Sequence, residues 1–141
     1  MTGLVCHDLV EFPFLQIPQE ALLAFNALAF AIRDGFPVTP GHTLVVPRRL
    51  VATWFEATRE EQVAMLELVE VLKAQLDAEL HPDGYNIGIN VGAAGGQTVM
   101  HLHLHLIPRF AGDVPDPRGG IRHVIPGKGY YLVPASDEEQ P

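Results

Sequence analysis

An alternation of polar and apolar residues within 98–107 constrains the fold more than any other stretch of the chain. The sequence there is TVMHLHLHLI, followed by Pro108. Because a β-strand projects successive side chains to opposite faces, the pattern predicts a strand with three histidines on one face and leucines on the core face. Residues 85–91 alternate in the same way, and the glycine-rich residues 92–96 lie between the two segments. We therefore expect a hairpin.

One long helix is predicted over residues 59–80. Thr58 and Glu61 form a capping-box pattern at its start, and the sequence His-Pro-Asp-Gly at 81–84 ends it. Its expected apolar stripe consists of Val63, Leu66, Val69, Leu72, Leu76 and Leu80. Residues 42–46 are predicted to form a further strand. Residues 20–33 are ambiguous, since propensity favours a helix, whereas alternation also fits two short strands around Asn26.

Composition limits the classes of protein to which the chain can belong. A length of 141 residues suits one domain, and 48% apolar with 18% charged residues excludes a disordered chain. No apolar run approaches the roughly 20 residues of a membrane-spanning helix, and the N-terminus lacks the basic start of a secretory signal. The one cysteine, Cys6, fits a reducing compartment, so we expect a cytoplasmic protein without a membrane partner.

The charge of the chain is uneven. The net charge of −8 argues against a nucleic-acid partner. Residues 84–131 nevertheless carry four basic and two acidic side chains, which gives +2, and they hold four of the seven histidines. This imbalance predicts a site for a small anion in that segment.

Three imidazoles on one strand face support two kinds of chemistry. They can bind a metal ion, or they can attack and stabilise a phosphoryl group. Glycines, Gln97 and Thr98 precede the histidines and offer donors to an anion. Residues 84–112 contain no carboxylate, although histidine metal sites usually have carboxylates nearby. This context favours phosphate chemistry over a metal enzyme.

These residues resemble a known family signature. The heptapeptide HLHLHLI at 101–107 and the preceding GQTV at 96–99 are similar to the histidine triad superfamily of nucleotide hydrolases and transferases, in which apolar residues separate three histidines. Residues 30–47 resemble its nucleoside-binding strand-loop-strand, so the resemblance covers about residues 20–110. The chain is most similar to the branch of fragile-histidine-triad and dinucleoside polyphosphate hydrolases, and residues 116–120 resemble the tail of bacterial members.

The resemblance implies an α+β fold. A five-stranded antiparallel sheet would carry the long helix on one face, and residues 20–33 would form two strands. A homodimer would join two sheets into ten strands. We expect one domain over 1–141, with a core at about 20–110 and an irregular tail at 111–141.

The resemblance also implies roles for individual residues. His103 would be the nucleophile that takes the α-phosphoryl group, and it needs one free ring nitrogen while the other bonds an acceptor. His101 and His105 would orient it and stabilise charge. Asp34 would accept the ribose hydroxyls. Phosphate contacts are expected at Asn90, Gly96, Gln97 and Thr98, and a base pocket at Phe30, Ile32 and Leu44.

The metal content expected from the resemblance is lower than in many relatives. These carry an N-terminal Cys-x-x-Cys that helps to hold a structural zinc, whereas Cys6 has no second cysteine after it. We expect no structural zinc and no obligatory cofactor, with Mg²⁺ accompanying a polyphosphate substrate. His42 is expected at a strand edge, with a metal ligand as the alternative. His123 is expected in a solvated loop, with a substrate contact as the alternative.

The predicted function is cleavage of a nucleoside polyphosphate, dinucleoside polyphosphate or phosphoramidate at the α-phosphate. The reaction would pass through a nucleotidyl-histidine and release a nucleoside monophosphate, with an adenine nucleotide as the expected substrate. The alternative is a nucleotide-binding sensing or scaffold module with little turnover. A three-histidine metal enzyme is a third possibility.

Overall fold

Five antiparallel strands and one long helix make up the domain. The computed structural model describes residues 12–132, and in this part the strands are β1 (Ala24–Phe25), β2 (Ala29–Arg33), β3 (Thr43–Pro47), β4 (Gly84–Ile89) and β5 (Leu104–Arg109), with helix α1 at Arg59–Leu80. The sheet order is β1-β2-β3-β5-β4. The expected α+β architecture is confirmed. No helix in residues 12–132 combines the length and apolarity needed to cross a bilayer.

The ambiguous segment 20–33 forms two strands. Asn26 makes the turn between them, because its Oδ1 accepts hydrogen bonds from the backbone N–H groups of Leu28 at 3.1 Å and Ala29 at 2.9 Å. Strand β2 then lies between β1 and β3. Pairing on both sides outweighs the helix propensity of its alanines, so the structure agrees with the family resemblance and not with propensity.

Helix α1 has the predicted ends but a different buried face. Thr58 and Glu61 form the reciprocal capping box, and His81 ends the helix in the left-handed region with φ of 49°. The buried residues are Glu61, Ala64, Met65, Leu68, Leu72 and Leu76. Val63 and Leu66 of the expected stripe are about half exposed. Apolar residues occur on several sides of this helix, so spacing alone did not identify the face that packs on the sheet.

The two faces of the sheet carry different side chains. One face packs on α1 through alanines, Val45 and the leucines of residues 102–106. The opposite face bears Phe30, Ile32, Leu44 and Val46, against which an N-terminal segment packs with Phe14, Ile17 and Leu22. Because Leu44 pairs with His105 across β3 and β5, the histidines belong to the face opposite the helix.

Strand β5 begins later than predicted. It starts at Leu104, so the expectation of three histidines on one regular strand is wrong for His101 and His103. The backbone N–H of Leu102 donates to the carbonyl of Val51 at 2.8 Å, which takes this segment out of the β4–β5 ladder. The hairpin pairing itself is confirmed, with Ile89 opposite Leu104 and Gly84 opposite Arg109.

Candidate active site

A cleft of about 660 Å³ lies on the sheet face opposite α1. It is lined by the N-terminal 3₁₀ turn, strand β2, the loop that follows it, strand β3 and the segment between β4 and β5. Its lining residues comprise an apolar set, Pro13, Phe14, Ile17, Ile32, Phe36, Val38, Leu44 and Val99, and a polar set with glycines, Arg33, Asp34, Gly35, His42, Asn90, Gly96, Thr98, His103 and His105.

Most sequence-predicted site residues meet in this cleft. Those that line it are Ile32, Asp34, Leu44, Asn90, Gly96, Thr98, His103 and His105. Three others do not. Phe30 is buried in the apolar cluster that β2 and β3 form on this face of the sheet. Gln97 is buried in the loop before the histidines, and His101 is fully buried.

His103 presents one free ring nitrogen. Its Nδ1 lies 2.8 Å from the carbonyl oxygen of His101, and because a carbonyl only accepts, Nδ1 carries the proton. In the neutral form of the ring, Nε2 then keeps its lone pair. The ring lies between two others, Phe14 at 5.2 Å and His105 at 5.1 Å between centroids, both in edge-to-face geometry. This arrangement meets the requirement for a neutral imidazole nucleophile.

A hydrogen-bond chain assigns the proton of His105. The backbone N–H of Val38 donates to Nδ1 of His42 at 3.2 Å, so the His42 proton is on Nε2. This nitrogen lies 2.9 Å from Nδ1 of His105 and donates to it. The His105 proton is consequently on Nε2, which is buried and has no protein partner in the described residues. His105, a residue that lines the cleft, thus carries a buried N–H donor that no described protein group satisfies.

Burial keeps these histidines neutral. It lowers the pKa of His105 to about 4, and the nearby His103 and His42 act in the same direction. Burial also lowers the pKa of His42, even though Asp34 Oδ2 lies 3.4 Å from its Nε2 and opposes the shift. Since burial dominates, the Asp34–His42 contact at neutral pH is one between a carboxylate and a neutral imidazole.

His101 supports the cleft although its buried side chain does not line it. Its Nε2 lies 2.9 Å from the carbonyl oxygen of Pro47 and donates to it, and burial lowers its pKa. Its own carbonyl accepts from His103. The expected orienting contact with His103 is therefore made by the backbone of His101, and its side chain does not line the cleft.

Gln97 holds the loop together instead of facing the cleft. Its Oε1 accepts from the N–H of Gly92 at 2.9 Å, and its Nε2 donates to the carbonyls of Ala52 at 2.6 Å and Val99 at 3.0 Å. All of these partners are backbone groups. Both polar atoms of this side chain are therefore already hydrogen-bonded in this conformation, and the expected phosphate contact stays a prediction.

The glycine loop is likewise bonded within itself. The N–H groups of Gly95 and Gln97 donate to the carbonyl of Gly92, and that of Gly96 donates to Ala93. Gly92 and Gly96 adopt φ of 75° and 92°, which allow this tight turn. The expectation that these N–H groups are free to hold an anion is wrong for this conformation. Asn90 and Thr98 are the loop side chains with polar groups on the cleft.

The basic residues of segment 84–131 do not reach the cleft. Arg109 forms an ion pair with Asp113 and Arg118 with Asp116, while Arg122 lies over the Tyr131 ring. His123 donates to the carbonyl of Arg118 at 2.8 Å and is absent from the cleft lining. It lies in the 3₁₀ turn Gly120–Val124, with its ring on that of Tyr130, and not in the expected solvated loop. The net charge of +2 over residues 84–131 therefore does not indicate the charge of the cleft.

Arg33 is the cation that lines the cleft among the described residues. Its guanidinium donates to Thr43 Oγ1 at 2.5 Å and lies 3.4 Å from Glu79. The charge of Arg33 is already paired, so the hydrogen-bond donors that the cleft offers to an anion are mainly uncharged.

Sequence reasoning missed several cleft residues. His42 is expected at a strand edge, with a metal ligand as the alternative, and not as a cleft residue. It precedes Leu44 by two residues, and this period-two spacing is the signal that places both on the same face. Phe36 and Val38 fall in the loop of the strand-loop-strand, where no pattern assigns them a role. Phe14 and Ile17 belong to a stretch with no periodic pattern, so no sequence signal identified them.

Three donors could hold a metal ion. The ligand atoms of Asp34, His42 and His105 all lie within 4.8 Å of one another, and two imidazoles with a carboxylate suit zinc. His42 and His105 are hydrogen-bonded to each other, so a metal would displace that proton. Cys6 lies outside the described residues. The expected absence of a structural zinc stays a prediction.

Comparison with known proteins agrees with this geometry. A family model described as the HIT domain matches residues 15–112. The AP-4-A phosphorylase of Mycobacterium tuberculosis is 34% identical over 107 residues, covering 72% of this chain and 55% of that protein. The Bis(5'-adenosyl)-triphosphatase of Dictyostelium discoideum is 34% identical over 93 residues, covering 66% and 62%. The chain thus spans little more than half the length of the first relative.

A solved structure shares the architecture. The HIT family protein from Bacillus anthracis superposes with a TM-score of 0.66 at 31% identity, covering 79% of this chain and 77% of that chain. The family match extends over the sheet, the helix and all three histidines of the signature. On this basis the chain belongs to the HIT domain family.

Proposed function

We propose that the protein is a nucleotide hydrolase or nucleotidyl transferase that cleaves its substrate at the α-phosphate through His103. The observation that carries this proposal is the fixed tautomer of His103, with Nδ1 donating to the His101 carbonyl and Nε2 free. A module that only binds nucleotides has no need of such a nitrogen in its cleft. The names of two relatives, an AP-4-A phosphorylase and a Bis(5'-adenosyl)-triphosphatase, support a dinucleoside polyphosphate as substrate.

In the first step, the lone pair of His103 Nε2 attacks the α-phosphorus and a P–N bond forms. The bond from phosphorus to the leaving group breaks, and the leaving group departs with that electron pair and is protonated by solvent. The imidazole retains its Nδ1 proton, which stays bonded to His101. Nε2–H of His105 donates to a phosphoryl oxygen, where negative charge must be stabilised in the transition state.

In the second step, an acceptor attacks the same phosphorus and the P–N bond breaks. Water as acceptor loses a proton to solvent and yields a nucleoside monophosphate, and His103 returns to its neutral form. Inorganic phosphate as acceptor yields a nucleoside diphosphate instead, as the name phosphorylase of one relative suggests. Both routes use the same histidine intermediate.

The rest of the cleft suits a nucleoside. Asp34 lines the cleft and would accept the ribose hydroxyls, and the apolar lining, including Ile32 and Leu44, would receive the base. We take the base to be adenine. Because the cleft lining formed by residues 12–132 holds no unpartnered cation, we expect a polyphosphate chain to bring its own neutralising ion, and Mg²⁺ is the cation that best accompanies phosphates.

The finer expectations belong to the same proposal. We propose a homodimer, with two sheets joined into ten strands, and a location in the cytoplasm. The dimer is tested by sedimentation of the purified full chain, in which a single species of monomer mass contradicts it.

The test is a product assay over four compounds that share an α-phosphate. These are diadenosine tetraphosphate, diadenosine triphosphate, adenosine phosphoramidate and adenylylated sulfate, each with and without inorganic phosphate. AMP without phosphate, or ADP in place of that AMP when phosphate is present, supports the proposal. Binding of all four without any product favours the sensing or scaffold module. The phosphoramidate is a substrate that needs no Mg²⁺. If it is still cleaved after a chelator has removed all metal from the protein, a three-histidine metal enzyme is contradicted.

A further inference from the structure

Phe14 contacts the rings of two signature histidines. Its ring lies 5.2 Å from that of His103, at an interplanar angle of 64°, and 5.7 Å from that of His101, at 59°. The edge-to-face contact with His103 has the geometry that aromatic pairs prefer, and such pairs contribute beyond the area they bury. Phe14 comes from outside the signature and outside the sheet.

The sheet holds Phe14 in place. The residue lies in the 3₁₀ turn Pro13–Gln16, which begins with a proline and is closed by a hydrogen bond from Leu15 N–H to the Phe12 carbonyl. Phe14 packs with Ile17 and Leu22 against the buried cluster that includes Phe30 and Val46. The same ring therefore touches the apolar cluster on one side and the candidate nucleophile on the other.

His103 is consequently restrained in three ways. The hydrogen bond from Nδ1 fixes its tautomer and one atom of the ring. His105 lies edge-to-face on it at 5.1 Å and 63°, and Phe14 supplies the other aromatic contact. One hydrogen bond leaves a ring able to rock about that atom, whereas contacts from two further rings restrict its plane.

We propose that Phe14 is a positioning residue that holds the His103 ring so that Nε2 is aimed at the α-phosphorus. The inference rests on the proposed function, because the direction of Nε2 matters only if that nitrogen attacks the α-phosphorus. Small misplacements of a reacting group lower rates steeply, by up to about a hundredfold for 1 Å. Phe14 also lines the cleft, so the competing role is a wall that contacts the substrate base.

The kinetic test compares Phe14→Leu, which keeps apolar volume without a flat ring, with Phe14→Tyr, which keeps the ring. The control is Phe55→Ala, because Phe55 is 79% exposed and is not among the residues that line the cleft. Single-turnover formation of the nucleotidyl-protein and the Kd for AMP are measured for each variant, together with its unfolding temperature.

We expect Phe14→Leu to form the adduct about tenfold to a hundredfold more slowly than the wild type, with the Kd for AMP within about twofold. Phe14→Tyr restores most of the rate, and Phe55→Ala matches the wild type. A weaker Kd with an unchanged rate of adduct formation overturns the positioning role and indicates a base contact. A wild-type rate and Kd in Phe14→Leu also overturn it.

A spectroscopic measurement tests the contact between Phe14 and His103 without relying on the reaction. In protein labelled with ¹⁵N-histidine, the ring protons of His103 should lose a ring-current shift in Phe14→Leu and keep it in Phe14→Tyr. Unchanged His103 shifts in Phe14→Leu contradict the contact itself. If the wild-type protein forms no adduct with any of the four compounds, the proposed function fails, whereas a normal adduct rate in Phe14→Leu removes only the role of Phe14.

Discussion

Nε2 of His42 lies 2.9 Å from Nδ1 of His105, and this contact decides which nitrogen of His105 carries a proton. Replacing His42 with Leu removes the donor, so His105 loses its fixed tautomer. We expect kcat to fall about a hundredfold, the lower end of the range for a positioned proton donor, with little change in KM. His81→Asn, at the exposed end of α1, is the matched control. Unchanged kcat in His42→Leu contradicts this assignment.

Asp34 should act through the ribose. Its Oδ1 accepts the N–H of Phe36 at 2.7 Å and its other oxygen approaches His42, so the carboxylate is held at the wall of the cleft. Asp34→Ala should lower kcat/KM about tenfold for a ribonucleoside substrate, as expected for lost bonds to a charged acceptor. The effect should shrink with the 2′,3′-dideoxy analogue. Glu70→Ala controls for the change in charge, and an equal loss with both substrates contradicts a ribose contact.

Gln97 should matter for stability more than for phosphate binding. Gln97→Leu leaves the N–H of Gly92 and the carbonyls of Ala52 and Val99 without this partner. A buried group left unpaired costs about 1–3 kcal/mol, so we expect the free energy of unfolding to fall by about 2 kcal/mol or more. Gln19→Leu, at an exposed site, serves as control. Normal stability with weakened AMP binding would instead support a direct phosphate contact.

The stability of the protein should fall in mild acid. His105 has a folded-state pKa of about 4, below its ordinary 6.5, so between these values the unfolded chain binds a proton that the folded protein does not. Stability is therefore full above pH 6.5, falls as the pH drops towards 4, and loses nothing more from this group below 4. His105→Asn should flatten the dependence of Tm on pH, whereas His81→Asn should not. An equal slope in both variants contradicts the burial of His105.

Local signals predicted the helix and the strands of the sheet better than the site. The ends of α1 followed from Thr58, Glu61 and the residues at 81–84, because capping depends on neighbours in sequence. The buried face of α1 and the start of β5 did not follow, because each depends on contacts with distant segments, such as Leu102 with Val51.

The site shows the same division. The histidine motif predicted His103 and His105 in the cleft, and a strand-loop-strand predicted Asp34. Phe14 reaches the site from a turn whose sequence has no periodic pattern. His42 belongs to the site because it lies beside His105, and that contact depends on how the strands align. The basic residues of the tail were expected to create a positive site, but ion pairs such as Arg109–Asp113 depend on how the tail folds and not on how many charges it holds.

The most direct test of the account is to trap the covalent intermediate. Wild-type protein is mixed with α-³²P-labelled diadenosine triphosphate, quenched in denaturant at neutral to alkaline pH, where phosphohistidine persists, and analysed for label bound to protein. We expect labelled protein in the wild type, with the label on His103, and none in His103→Asn, which should still bind AMP while its turnover falls on the order of 10⁴-fold or more. Equal turnover in His103→Asn, or rapid release of AMP with no label on His103, would contradict it.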